Sequence, residues 1–212
     1  MVGEGVMHES LLHPGVESVL VINRKPYGAE HEKLTEIILD DFFNIESVEE
    51  KLTGFDACFF CMGVSAIGMS SEDYKRITYD LTLLIAKSLL KNNPGMTFCY
   101  ISGGGTDSAE SGRQRWARVK GKTENDLLKL SFKAAYMFRP GYIQPTKGLK
   151  NTLRFYKYVT PFFPIFKFLL PGYVCTMRDL GVSMINSVGI GYDKKILENK
   201  DIAKLAAVVS SL

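Results

Sequence analysis

Hydrophobic residues fall into two spacings along this chain, and the two alternate. Predominantly apolar runs at Ser18 to Asn23, Thr35 to Leu39, Ala57 to Met62, Met96 to Ile101 and Ala134 to Phe138 read as strands, the first of them as a strand buried on both faces. Helical spacing lies between them. In Tyr74 to Lys91 the residues Tyr74, Ile77, Leu81, Leu84, Ile85 and Leu89 mark one helix face, and Asn92-Asn93-Pro94-Gly95 stops the pattern. Further helices are predicted at Met1 to Leu12, about Arg113 to Leu130, Gly181 to Ser187 and Asp201 to Val209. Strands alternating with helices are βαβ units, so the fold class is α/β with a doubly wound parallel sheet and right-handed crossovers. Beyond Pro140 the texture changes. Gly141 to Gly172 carries Pro145, Pro161, Pro164 and Pro171 among many aromatics, which excludes regular sheet or one long helix. The expected organisation is a sheet domain over residues 1–143 and a small C-terminal lobe, residues 144–212, packed on the same domain.

Composition removes several function classes. The 212 residues suit one such domain, and 46% hydrophobic with 23% charged residues is ordinary globular usage, which argues against wholesale disorder. A net charge of +3 is too mild for a nucleic-acid binder. The four cysteines, Cys58, Cys61, Cys99 and Cys175, show no disulfide framework. Cys58 and Cys61 have a redox C-x-x-C spacing, but along a strand an offset of three sends the thiols to opposite faces, and core packing is the reading. Reduced cysteines fit a cytoplasmic setting. Met1 to Pro14 lacks the basic start and apolar core of a secretory signal. His8, His13 and His31 are too far apart for helical ligation, so no metal site is expected.

Several short motifs follow one another in a particular order. Met1-Val2-Gly3 opens a helix; Ile22-Asn23-Arg24-Lys25 ends the first apolar run; Asp40-Asp41-Phe42 follows the second; Gly63-Val64-Ser65 follows the third. Ser102-Gly103-Gly104-Gly105-Thr106 follows the fourth, a helix carries Trp116-x-x-x-Lys120, and Arg139-Pro140-Gly141 follows the fifth. In this order the motifs resemble the atypical and extended short-chain dehydrogenase/reductases, the NAD(P)-binding, epimerase/dehydratase-like group with a Rossmann fold. The resemblance covers Met1 to about Ile143, with a weaker echo in Leu180 to Met184. It implies a strand and most of a T-G-x-x-G-type turn ahead of Met1, with Gly3 as the third glycine of that turn. An in-frame upstream extension of about ten residues is therefore expected.

The resemblance also assigns roles. Gly3 would stand at the helix N-terminus that holds the pyrophosphate. Where an NAD-selective fold places an acidic residue for the ribose hydroxyls, this chain has Asn23, and the adjoining Arg24 and Lys25 suit a 2′-phosphate. The cofactor is thus expected to be NADP rather than NAD, although the same pair also reads as a solvated basic turn. Asp41 would contact the adenine amino group and Phe42 would pack near the ring; Asp41 equally suits a helix N-cap. Gly63 and Val64 would pass close to the adenine ribose, where a missing Cβ permits close approach. Pro140 and Gly141 would lead from the last strand into the substrate lobe.

At the reaction centre the chain departs from the family. Lys120 matches the lysine that holds the nicotinamide ribose, but the catalytic tyrosine position, four residues earlier on the same face, is Trp116. An indole has no proton to exchange near neutral pH, so Trp116 cannot be a general acid or base. Trp116 also suits a core aromatic. Ser102 or Thr106 is expected to offer a substrate its hydroxyl, and Gly103 stands where relatives often carry a second serine. Arg113, Arg115, Arg118, Lys120 and Lys122 cluster around Trp116 and read as a phosphate-facing or solvated helix rather than a nucleic-acid surface. Tyr156 to Val174 is apolar and aromatic but broken by Lys157, Thr160, Lys167, Gly172 and prolines. It reads first as lining for a substrate pocket, and secondly as a peripheral membrane contact. The expectation is an NADP(H)-dependent oxidoreductase- or epimerase-like protein acting on a small molecule. Its rivals are a non-catalytic NADP(H) sensor and a peripheral membrane protein.

Overall fold

All five predicted strands form, each within two residues of its expected bounds. The structure is a computed structural model and describes residues 1–151, 158, 160, 163–170 and 172–208. In chain order the elements are α1 (Val2–Leu12), β1 (Val19–Asn23), β2 (Leu34–Ile38), a 3-10 run (Phe42–Lys51), β3 (Ala57–Phe60), α2 (Ser71–Lys75), a π turn (Arg76–Asp80) and α3 (Leu81–Asn92). Next come β4 (Thr97–Ile101), α4 (Arg115–Leu127), β5 (Ala134–Arg139), β6 (Tyr142–Gln144), α5 (Phe163–Leu169), β7 (Val174–Thr176), α6 (Met177–Gly189), β8 (Ile196–Glu198) and α7 (Asn199–Ala206). Packing groups these into two units. The first holds residues 1–40, 140–193 and 197–212, and the second holds residues 41–139 and 194–196. Residues 1–40 thus group with the C-terminal segments.

In the second unit β3, β4 and β5 form a parallel ladder, with Ala57 opposite Thr97 and Thr97 opposite Ala134. The amide of Met137 donates to the carbonyl of Lys195 at 2.7 Å, which ties the 194–196 segment to β5. β4 is central, and Thr97 to Tyr100 are all buried, as its predominantly apolar run requires. Phe98 stacks on Phe60 and Phe132, with ring centroids 6.0 and 5.0 Å apart. Against this sheet lies the α2–α3 helix, which starts earlier than predicted because Ser70 caps it, accepting from the Asp73 amide. The π turn at Arg76–Asp80 adds a residue per turn and rotates the downstream residues about the helix axis. Its buried residues include Tyr74, Thr78, Leu81, Thr82, Ile85 and Leu89, while Ile77 and Leu84, expected inside, are half-buried.

In the first unit β1 and β2 pair in parallel, Val19 opposite Leu34 through Asn23 opposite Ile38. Every residue of β1 is half-buried, not buried on both faces as expected, since among the described residues its ladder has one partner, β2. α1 packs on α6 through two glycines. A Cβ on Gly5 would lie 2.2 Å from Met177 Cγ, and one on Gly181 would lie 2.7 Å from Glu9 Cγ, so these helices approach closer than alanine permits. α6 begins at a capping box in which Thr176 and Asp179 exchange side-chain and backbone bonds. Met177, Leu180, Met184, Leu197, Ile202 and Leu205 fill the core here. Among the described residues, the proline-rich stretch and its continuation hold short elements, β6 paired in parallel with β7 and the seven-residue α5. Residues 152–157, 159, 161–162 and 171, Lys157, Pro161 and Pro171 among them, lie outside the described residues.

Candidate functional site

The expected site residues fall in both units: Gly3, Asn23, Arg24, Lys25, Pro140 and Gly141 in the first, Asp41, Phe42, Gly63, Val64, Ser102 and Lys120 in the second. In the second unit, Lys120 and Ser102 come together. α4 carries Lys120 to the end of β4, where its Nζ donates to the carbonyl of Ser102. Burial pulls the Lys120 ammonium below its ordinary pKa, and the Glu124 carboxylate one turn on acts in the opposite sense. One turn earlier, the indole of Trp116 lies over the post-β4 turn. Its ring edge would be 3.4 Å from a Cβ on Gly105, and its Nε1 donates to Gln114 at 3.1 Å. The i, i+4 spacing thus does place Trp116 and Lys120 beside one turn.

The hydroxyls expected to face a substrate do not. Ser102 is buried, and its Oγ donates to the carboxylate of Glu124, with the carbonyl of Phe138 at 3.2 Å. Thr106 is buried too and donates to the carbonyl of Gly103 at 2.8 Å. Ser102 therefore serves as a strut, and the expectation of a substrate-facing serine is corrected on that ground. Nor can Gly103 be a simple missing serine, because its φ of 113° lies where side chains are strained. The residue that sequence reasoning missed is Glu124, fully buried and also bound by Arg139 through Nε at 3.0 Å and Nη2. A glutamate four residues after Lys120 on an otherwise buried face was its signal.

The basic cluster is used internally. Arg115 donates to Ser71 Oγ and the carbonyl of Met69, each at 2.9 Å, and Arg118 donates to the carbonyl of Gly112 at 2.6 Å. These arginines fasten loops and do not face phosphate as expected. α4 meets the Asp107 loop at Gly121, where a Cβ would stand 1.8 Å from the Asp107 carbonyl oxygen. Asp41 accepts from the Phe43 amide at 2.9 Å and caps the 3-10 run, which is the N-cap alternative, and Phe42 is half-buried beside it. Gly63 and Val64 are exposed after β3, and a Cβ on Gly63 would meet nothing within 4 Å. Burial pushes the Cys61 thiol up to about 12 and raises that of Cys58 too, which disfavours the reactive thiolates.

In the first unit the turn after β1 is tightly built. Asn23 Nδ2 donates to Glu36 at 2.6 Å, and the same carboxylate accepts from the Tyr27 amide at 3.0 and 3.3 Å. Arg24 and Lys25 stand exposed on that turn. Gly3 is exposed in the first turn of α1. Pro140 is buried, and Gly141 is required by packing: a Cβ would lie 2.3 Å from the Tyr173 carbonyl oxygen.

Comparison with solved structures decides the fold. The ADP-L-glycero-D-manno-heptose-6-epimerase of Helicobacter pylori matches 97% of this chain and 78% of its own, with a TM-score of 0.65 at 12% identity. The chain has the Rossmann fold of the NAD-dependent epimerases. The Bordetella bronchiseptica enzyme WbmG, solved with NAD and UDP, matches 97% of this chain and 74% of its own at a TM-score of 0.61 and 12% identity. No family model matches the sequence. Among curated proteins, the mitochondrial protein fmp52-1 of Aspergillus oryzae is 27% identical over 148 residues, covering 68% of this chain. The chain spans 62% of that relative's length. This is the Rossmann-type α/β architecture that the motif order implied. Several FMP52 relatives are named as mitochondrial, which overturns the cytoplasmic expectation. Reduced cysteines fit any reducing compartment, so their spacing had no power to choose among them.

Proposed function

We propose that this chain is an NADP(H)-binding protein that keeps the cofactor grip of the epimerase fold without the ordinary reductase acid–base machinery. One observation carries the reading: both hydroxyls beside Lys120 are buried and bound to protein acceptors, while the residue four before it is Trp116. The residues fit the cofactor. Lys120 has ammonium protons beyond the one given to Ser102 and would hold the nicotinamide ribose. Taken within the first unit alone, the exposed Arg24 and Lys25 would receive a 2′-phosphate, favouring NADP over NAD. When bound, the nicotinamide would supply hydride chemistry, and the protein's own part is to bind and orient. Residence in mitochondria belongs to the same reading, on the strength of the relatives' names.

Trp116 is the chain's single tryptophan, so its emission reports this position alone. Titration with NADPH should transfer excitation from Trp116 to the bound dinucleotide, with no NADPH consumed in the presence of generic carbonyl compounds. Trp116→Tyr restores a phenol beside Lys120, whose positive charge lowers its pKa. The variant should oxidise NADPH faster than the parent by roughly 10²-fold, the lower range for general acid–base catalysis. A parent that turns over readily and loses turnover in Trp116→Tyr would overturn the reading.

A second reading has its own observation. In the described part of the 156–174 run, Tyr158, Phe168 and Tyr173 are 75%, 85% and 70% exposed, and Ile165, Leu169 and Leu170 are exposed beside them. That is more open apolar surface than a pocket lining presents. It supports peripheral contact with a lipid surface, tested by sedimentation with anionic vesicles and its loss in Phe168→Asp. Among the described residues no helix is long and apolar enough to cross a membrane.

A further inference from the structure

Lys150 is far from Arg24 and Lys25 in sequence, yet the fold fastens it to their turn. Its Nζ lies 3.3 Å from the carbonyl of Tyr27 and 5.0 Å from the centroid of the Tyr27 ring. The bonds beneath it are part-buried and specific. The carboxylate of Glu4, in the first turn of α1, accepts from Tyr27 Oη at 2.8 Å, the Lys150 amide at 2.7 Å and the Asn151 amide at 2.8 Å. Burial opposes the charge on Glu4, but the phenol and the two amides overcome it and hold its pKa below the ordinary value. On the other side of Tyr27, Glu36 grips the Tyr27 amide and the Asn23 side chain. Two carboxylates thus preset the turn, and their bonds to Asn23, Tyr27 and the Lys150 amide use none of the charged groups of Arg24, Lys25 or Lys150.

We propose that Lys150 is a third cation of a 2′-phosphate subsite on the Arg24–Lys25 turn, and so a residue that selects NADP over NAD. The proposal rests on the cofactor reading under the proposed function. The Tyr27 carbonyl takes one ammonium proton of Lys150, and the others remain for an anion. A phosphate dianion suits three cations whose backbone is already fixed, since charge-assisted bonds of this kind are the stronger ones and preorganisation lowers the ordering cost. The Glu36 and Glu4 carboxylates are opposing charges on this turn; Glu36 is held by the Asn23 amide group and the Tyr27 N–H, and Glu4 by the Tyr27 hydroxyl and the Lys150 and Asn151 amides.

The test is calorimetric titration of the full chain with adenosine 2′,5′-bisphosphate and with adenosine 5′-monophosphate. The unmodified chain should bind the bisphosphate more tightly. Lys150→Gln should weaken the bisphosphate by about tenfold and leave the monophosphate unchanged, as expected for loss of one charged hydrogen bond. Lys150→Arg should restore most of the difference. Equal weakening of both ligands in Lys150→Gln would make Lys150 a scaffold residue only and overturn the proposal. So would an unchanged Lys150→Gln where Arg24→Ala loses the preference; the NADP reading would then survive alone. No preference in the unmodified chain would remove both.

Discussion

Replacing Gly121 by alanine tests the packing that holds Lys120 in place. In the middle of an exposed helix this change stabilises by about 1 kcal/mol, because glycine is the costlier helix residue. Here the structure opposes it. The added Cβ would lie 1.8 Å from the Asp107 carbonyl oxygen, 2.5 Å from its carbon and 3.2 Å from the Ser108 nitrogen. Ordinary contact needs about 3.5 Å, so the loop must retreat by roughly 1.5 Å. That retreat breaks the bond from the Asp107 amide to the Ala117 carbonyl at 3.1 Å and the bond from Asn125 Nδ2 to the Ser108 carbonyl at 2.9 Å. Two hydrogen bonds at about 1 kcal/mol each, with overpacking of about 1–3 kcal/mol, outweigh the helix gain and leave a net loss of about 2–4 kcal/mol. Urea unfolding followed by circular dichroism reads this as a lower midpoint at unchanged slope. A variant within about 0.5 kcal/mol of the parent, or more stable, would show that the Asp107 loop does not rest on α4 and would refute the reasoning.

Two further outcomes concern buried carboxylates. Glu124→Ala leaves the Arg139 guanidinium, only 11% exposed, without the carboxylate it grips. The expected loss is about 3–5 kcal/mol by urea midpoint, and a loss under about 1 kcal/mol would contradict a buried pair. For Glu4 the folded pKa is depressed below the ordinary value of 4.5. Its stabilisation is therefore full above the unfolded pKa and disappears as pH falls through the folded one. The stability gap between parent and Glu4→Gln should be wide at about pH 6 and narrow at about pH 3, and an equal gap at both would dismiss the assignment.

What the sequence disclosed tracks the range of the interactions involved. The strands were legible because Ser18 to Asn23 and its counterparts are predominantly apolar, and Trp116 with Lys120 was legible because a helix brings residues four apart to one face. The π turn was not legible, since nothing in Arg76 to Asp80 marks an added residue. Three-residue strands such as β6 and β7 carry too few positions for a period to show. Ser102 was misjudged because the motif gives a hydroxyl's place along the chain and not its direction, which Glu124 and Phe138 determine from other elements. Lys150 could not be found at all, because its meeting with Tyr27 spans 123 residues and depends on Glu4.

The uneven make-up of the two units has a consequence for synthesis on the ribosome. Residues 41–139 form nearly all of one unit without interruption, so its sheet can close while the chain is still growing, with residues 194–196 added last. The other unit is drawn from three separated stretches, and α1 packs on α6 at Met177–Gly189, which is made long after it. At roughly 5–20 residues per second, Val6 and Met7 must wait on the order of ten seconds or more for their partners to emerge. During that interval their apolar surface is open to chaperones.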